Sequence, residues 1–92
     1  MKIIVEYTAQ VKKAAGISKE EFEVNEGTTL QELVKEVAEQ HGSSLKAVLF
    51  PDTVELHPSI LLFVSSEQVL WDEPLTLEAN HVVTILSPIS GG

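Results

Sequence analysis

Gly27-Thr28-Thr29-Leu30-Gln31-Glu32-Leu33-Val34-Lys35-Glu36-Val37-Ala38-Glu39-Gln40-His41-Gly42 is the stretch on which the fold turns. Leu30, Leu33, Val34, Val37 and Ala38 recur at helical spacing and make one apolar stripe. Gln31, Glu32, Lys35, Glu36, Glu39 and Gln40 cover the opposite side. Thr28 and Gln31 fit the S/T-x-x-E/Q capping box, and Gly42 stands where a C-cap glycine belongs. A helix with a single apolar stripe needs one apolar surface to bury it. The rest of the chain supplies that surface as strands.

Upstream, Lys2 to Thr8 places Ile3, Val5 and Tyr7 on one face and Lys2, Ile4, Glu6 and Thr8 on the other. Ala9 to Ser18 breaks the alternation and carries Gly16, so it reads as the loop of a hairpin. Residues 21–25 alternate cleanly and form its second strand. Downstream, Leu45, Val48 and Leu49 fit one or two short helical turns ended by Pro51, with 52–58 as loop. Ser59 to Ser65 is a strand with an unbroken apolar run, Ser65-Ser66-Glu67 a turn, and Gln68 to Trp71 a short strand. Asp72-Glu73-Pro74 turns again, and Asn80 suits a left-handed turn position. Val82 to Leu86 is the last strand.

The order strand, strand, helix, strand, short strand, strand makes a two-layer α+β domain, a mixed sheet packed on one main helix. The β-grasp is the familiar solution to that order. We expect a single domain over 1–92 with a flexible, uncharged tail at 87–92.

The composition narrows the function. Ninety-two residues with 14 acids against 6 bases carry a formal charge of −8 and no cysteine. No disulfide framework, zinc knuckle or catalytic thiol is available. Such acidity repels nucleic-acid backbones and anionic membranes and suits a basic protein partner. Neither a signal-peptide core nor a membrane span is present, so the expected location is cytoplasmic. His41, His57 and His81 lack metal-pair spacing, and we expect solvated or hydrogen-bonded imidazoles and no metal. Glu20-Glu21 and Asp72-Glu73 have no nucleophile or phosphate loop beside them and read as solvated surface. Trp71 reads as a core or rim anchor.

Two strands conflict with a one-faced sheet. Ile60, Leu62 and Val64 are apolar, but so are Leu61 and Phe63; Val83 and Ile85 are apolar, but so are Val82 and Leu86. Whichever set meets the helix, aliphatic surface remains on the open face, which marks an interface near Phe63 and Leu86. The plain alternatives are that segment 43–58 folds over that face, or that central strands are apolar for propensity alone.

The chain ends Leu86-Ser87-Pro88-Ile89-Ser90-Gly91-Gly92. Two terminal glycines lack Cβ atoms and let the backbone thread a narrow channel, presenting a carboxylate to a nucleotide. Pro88 has no N–H to extend the sheet and should release the tail. A frayed end is the plain alternative.

With this ending, the strand order and Ala9-Gln10-Val11-Lys12 leading to Gly16, the sequence resembles the MoaD/ThiS family of ubiquitin-like sulfur carriers, on the MoaD side. The resemblance implies that the Gly92 carboxylate is adenylated with ATP by a ubiquitin-activating-type, MoeB-like enzyme and becomes a thiocarboxylate. It implies insertion of Pro88, Ile89, Ser90 and Gly91 into the channel of a MoaE-like large subunit, with docking through Leu86 and Phe63. Sulfur would then pass to cyclic pyranopterin monophosphate, making this chain the small subunit of molybdopterin synthase. Catalytic side chains are expected on the partner, and no cofactor is expected on this chain. The sequence departs from the family in having Val64-Ser65-Ser66 in place of Val-Asn-Gly, Asn80-His81 in place of Gly-Asp, and polar Thr8 and Gln68. The alternatives are a carrier for thiazole or cysteine synthesis, a modifier joined to lysines, and a β-grasp interaction module with an incidental Gly-Gly.

Overall fold

The computed structural model describes residues 1–52 and 55–87. Its elements are β1 (Lys2–Thr8), α1 (Ala9–Ala15), β2 (Lys19–Glu23), α2 (Leu30–His41), α3 (Ser43–Leu49), β3 (Leu61–Val64), β4 (Glu67–Val69) and β5 (Val82–Leu86). The sheet runs β2-β1-β5-β3-β4. Its central pair, β1 and β5, is parallel, and every other pair is antiparallel. That is the β-grasp arrangement.

The α2 stripe is buried throughout: Leu30, Leu33, Val34, Val37 and Ala38 meet Ile3, Val5, Tyr7, Leu62, Val64, Val83 and Ile85 from the sheet. The cap of α2 lies one residue beyond the expected position. Thr29 accepts from Glu32 N, and Glu32 Oε1 accepts from Thr29 N at 2.9 Å. Thr28 and Gln31 have the same spacing, but Gln31 is used elsewhere. Its Nε2 donates to the Trp71 and Glu73 carbonyls at 2.8 and 3.1 Å, tying the 71–75 segment to α2. Gly42 ends α2 as expected, at φ 84°.

Ala9 to Ala15 is a helix, not a hairpin loop. Only Val11 is buried in it, so the apolar period is too sparse to read, although alanine and lysine favour helix. The described residues of segment 43–58 pack into the core on the helix side and not over the open sheet face. Leu45 and Leu49 of α3, with Phe50 and Leu56, join the same core as α2. Trp71 packs edge-on against Phe50 at 5.5 Å, a rim anchor as expected. Asn80 is left-handed, at φ 72°. β2 starts two residues earlier than the alternation indicates, and β4 ends at Val69 and leaves Leu70 53% exposed.

Candidate functional site

Register decides which side chains share the open face. Ile4 pairs with Val82, Glu6 with Thr84 and Thr8 with Leu86. Across β5, Leu86 pairs with Leu61 and Thr84 with Phe63, which also pairs with Gln68. Residues paired in register point to one side of the sheet. The face therefore carries Ile4, Val82, Leu61, Phe63 and Leu86, all half-buried rather than in the core. In its middle Thr84 Oγ1 donates to Glu6 Oε1 at 3.3 Å. Phe63 and Leu86 thus share one face with Glu6 and Thr84 in its middle and Glu21, paired with Ile4, towards β2.

Ser87, assigned to the tail by the sequence, is held in the fold. Ser87 is buried, and its Oγ accepts from Gln10 N at 2.9 Å and Val11 N at 3.3 Å. These are N–H groups of the first turn of α1, which have no acceptor within the helix. Thr8, at the N-cap position, makes no side-chain cap. Ser87 takes that role from the far end of the chain and fixes the root of the tail against α1. Pro88, Ile89, Ser90, Gly91 and Gly92 lie outside the described residues.

A second polar cluster joins α2 to the hairpin. Tyr7 Oη donates to Glu20 Oε2 at 2.5 Å, and His41 Nε2 contacts the same oxygen. Burial, reinforced by the Glu20 carboxylate, pushes the Tyr7 phenol far above its ordinary range. Glu20 is therefore a positioning partner and not the solvated surface acid the sequence indicates. His57 Nδ1 accepts from Ser59 N and His81 Nδ1 from Glu78 N, so all three imidazoles are hydrogen-bonded. Among the described residues no three histidines or acids gather as a metal site, and no helix is long and apolar enough to cross a membrane.

Beside the tail root lies a feature sequence reasoning missed. An open groove of about 730 Å³ runs between α1, the turn after it and the end of β5, lined by Thr8, Ala9, Lys12, Lys13, Ile17 and Leu86 among others. Its one sequence signal is Ile17, an isolated apolar residue after Gly16 that is 42% exposed.

Against known proteins, residues 5–92 match the profile of the ThiS family. The chain belongs to the ThiS family. It is a ubiquitin-like sulfur carrier or modifier of the ThiS/MoaD type, small proteins that are typically non-catalytic. Among solved structures, SAMP1 from Haloferax volcanii superposes with a TM-score of 0.88 at 21% identity, covering 100% of both chains. The putative molybdopterin converting factor subunit 1 from Pyrococcus furiosus has a TM-score of 0.68 at 26% identity, covering 97% of this chain and 99% of that one. Urm1 from Trypanosoma brucei has a TM-score of 0.78 at 21% identity, covering 99% and 95%. No curated protein matches. Membership in the ThiS family implies a ubiquitin-activating-type enzyme as partner.

Proposed function

We propose that this ThiS-family chain carries sulfur on the carboxyl group of Gly92 and delivers it for molybdopterin synthesis as a synthase small subunit. The observation that carries the reading is the family match, which extends through residue 92 and so takes in the Gly91-Gly92 pair. The activating enzyme supplies ATP. A Gly92 carboxylate oxygen attacks its α-phosphorus and pyrophosphate leaves; a sulfide-level sulfur nucleophile from a separate donor then attacks the acyl carbon, the C–O bond to AMP breaks, and the thiocarboxylate remains. The side chains of this protein perform none of these bond changes. Their work is positional: Ser87 anchors the root, the open face around Phe63 and Leu86 docks, and Pro88 to Gly91 traverse the partner's channel. With no cysteine in the chain, sulfur has one place to reside.

The molybdopterin assignment is supported by the Pyrococcus furiosus relative, whose name places it in a molybdopterin converting factor. Reconstitution tests it. The thiocarboxylated chain mixed with a MoaE-like large subunit and cyclic pyranopterin monophosphate should yield molybdopterin. Sulfur transfer to a thiazole or cysteine precursor instead, or attachment of the chain to protein lysines, would replace that assignment within the same carrier chemistry.

A further inference from the structure

The groove beside the tail root differs in charge from the rest of this molecule. The chain has 14 acids and 6 bases, yet two of those bases, Lys12 and Lys13, line this one groove. Among the described residues no carboxylate lines it. Its apolar lining comes from Ala9, Ile17 and Leu86.

Local structure explains why Ile17 is left outside. Gly16 closes α1 in the left-handed conformation, φ 77°, with its N–H on the Lys12 carbonyl at 2.9 Å. The chain reverses there into β2, and Ile17 stays on the rim, 42% exposed. At the other end of α1, Ala9 holds φ 52°, a conformation an L-residue adopts only when its surroundings impose it. Both ends of the helix are thus fixed by backbone features, and Ser87 ties the first turn to the tail. The groove is a preformed surface. Leu86 is shared: it lines the groove and also belongs to the open sheet face.

From this geometry we infer that the groove is a second contact for the activating enzyme, receiving an apolar segment of that enzyme flanked by carboxylates. Charge decides the occupant. A basic segment would meet Lys12 and Lys13 as like charges, whereas an acidic, apolar one is complementary to both the lysines and the apolar lining. Continuity through Leu86 lets one partner cover the sheet face and the groove together while the tail is inserted. The inference rests on the carrier reading proposed above.

The test is an ATP–pyrophosphate exchange assay with the cognate activating enzyme, varying the concentration of the full-length carrier. K12E, K13E and I17D should each raise the carrier KM about tenfold with kcat unchanged, because docking is lost and the tail chemistry is intact. K35E makes the same change in net charge on the exposed side of α2 and should leave KM within about twofold. Raising salt should raise the wild-type KM more steeply than that of K13E. Amide spectra of each variant confirm the fold. I17S serves if I17D disturbs it. KM values for K12E, K13E and I17D that match K35E overturn the inference while leaving the carrier reading intact. Failure of the wild-type chain to support exchange at all removes the carrier reading, and the inference with it. Concentration-dependent self-association abolished by I17D would assign the groove to a second copy of this chain. Nuclear Overhauser contacts from Ile89 to Ile17 in the free chain would assign it to the chain's own C-terminus. Either result overturns the inference.

Discussion

Two residues carry unusual responsibility for their size. Ser87 Oγ accepts from two N–H groups that α1 cannot satisfy itself. Ser87→Ala should destabilise the protein by about 1 kcal/mol, as loss of a helix cap does, read as a lower urea midpoint; an unchanged midpoint would contradict the capping role. Tyr7 is the only tyrosine, and its phenol ionises far above the ordinary 10.0 because of burial and the Glu20 carboxylate. The folded state therefore holds this proton more tightly than the unfolded chain does. Its contribution is fully present below pH 10.0 and is lost as pH rises beyond it. As pH rises above 10.0, stability should fall more steeply in the wild type than in Tyr7→Phe, and equal slopes would contradict the assignment. Neither role is legible locally. Ser87 and Gln10 are 77 residues apart, and a serine before a proline looks like the start of a tail.

At the scale of elements, what could be read depended on how many side chains each one buries. α2 buries five residues at helical spacing, and its stripe and C-terminal glycine are plain in the sequence. α1 buries only Val11, so nothing periodic announces it. The cap of α2 was ambiguous because Thr28–Gln31 and Thr29–Glu32 offer the same motif one residue apart; Gln31 is claimed by the 71–75 backbone, which leaves Glu32. The β3–β4 hairpin closes through Ser65 and Ser66, both at positive φ (49° and 75°), between the paired Val64 and Glu67. Two-residue turns of this kind favour Asn-Gly, and serine there is strained. Ser66→Gly should stabilise the protein by up to about 1 kcal/mol, seen as a higher melting temperature. No gain would mean that the turn is relaxed as it stands.

For the whole molecule, the sheet order and apolar patterning fix a β-grasp whose helices occupy one face. The other face keeps Ile4, Leu61, Phe63, Val82 and Leu86 outside the core. That mismatch was visible in the sequence because both alternating sets of β3 and β5 are apolar. The groove was not visible, because it exists only where residues 8–18 fold beside Leu86. Burial on one face and an uncovered, partly apolar other face suit the proposed role of a protein that presents its terminus to another. The central claim is that Gly92 is the group so presented. Intact-mass spectrometry after incubation with the cognate activating enzyme, ATP and a sulfur donor tests it directly. The full chain should gain the mass difference of one sulfur replacing one oxygen, and a chain lacking Gly91 and Gly92 should gain nothing while remaining folded. Modification of the truncated chain, or none of the full chain, would contradict the account.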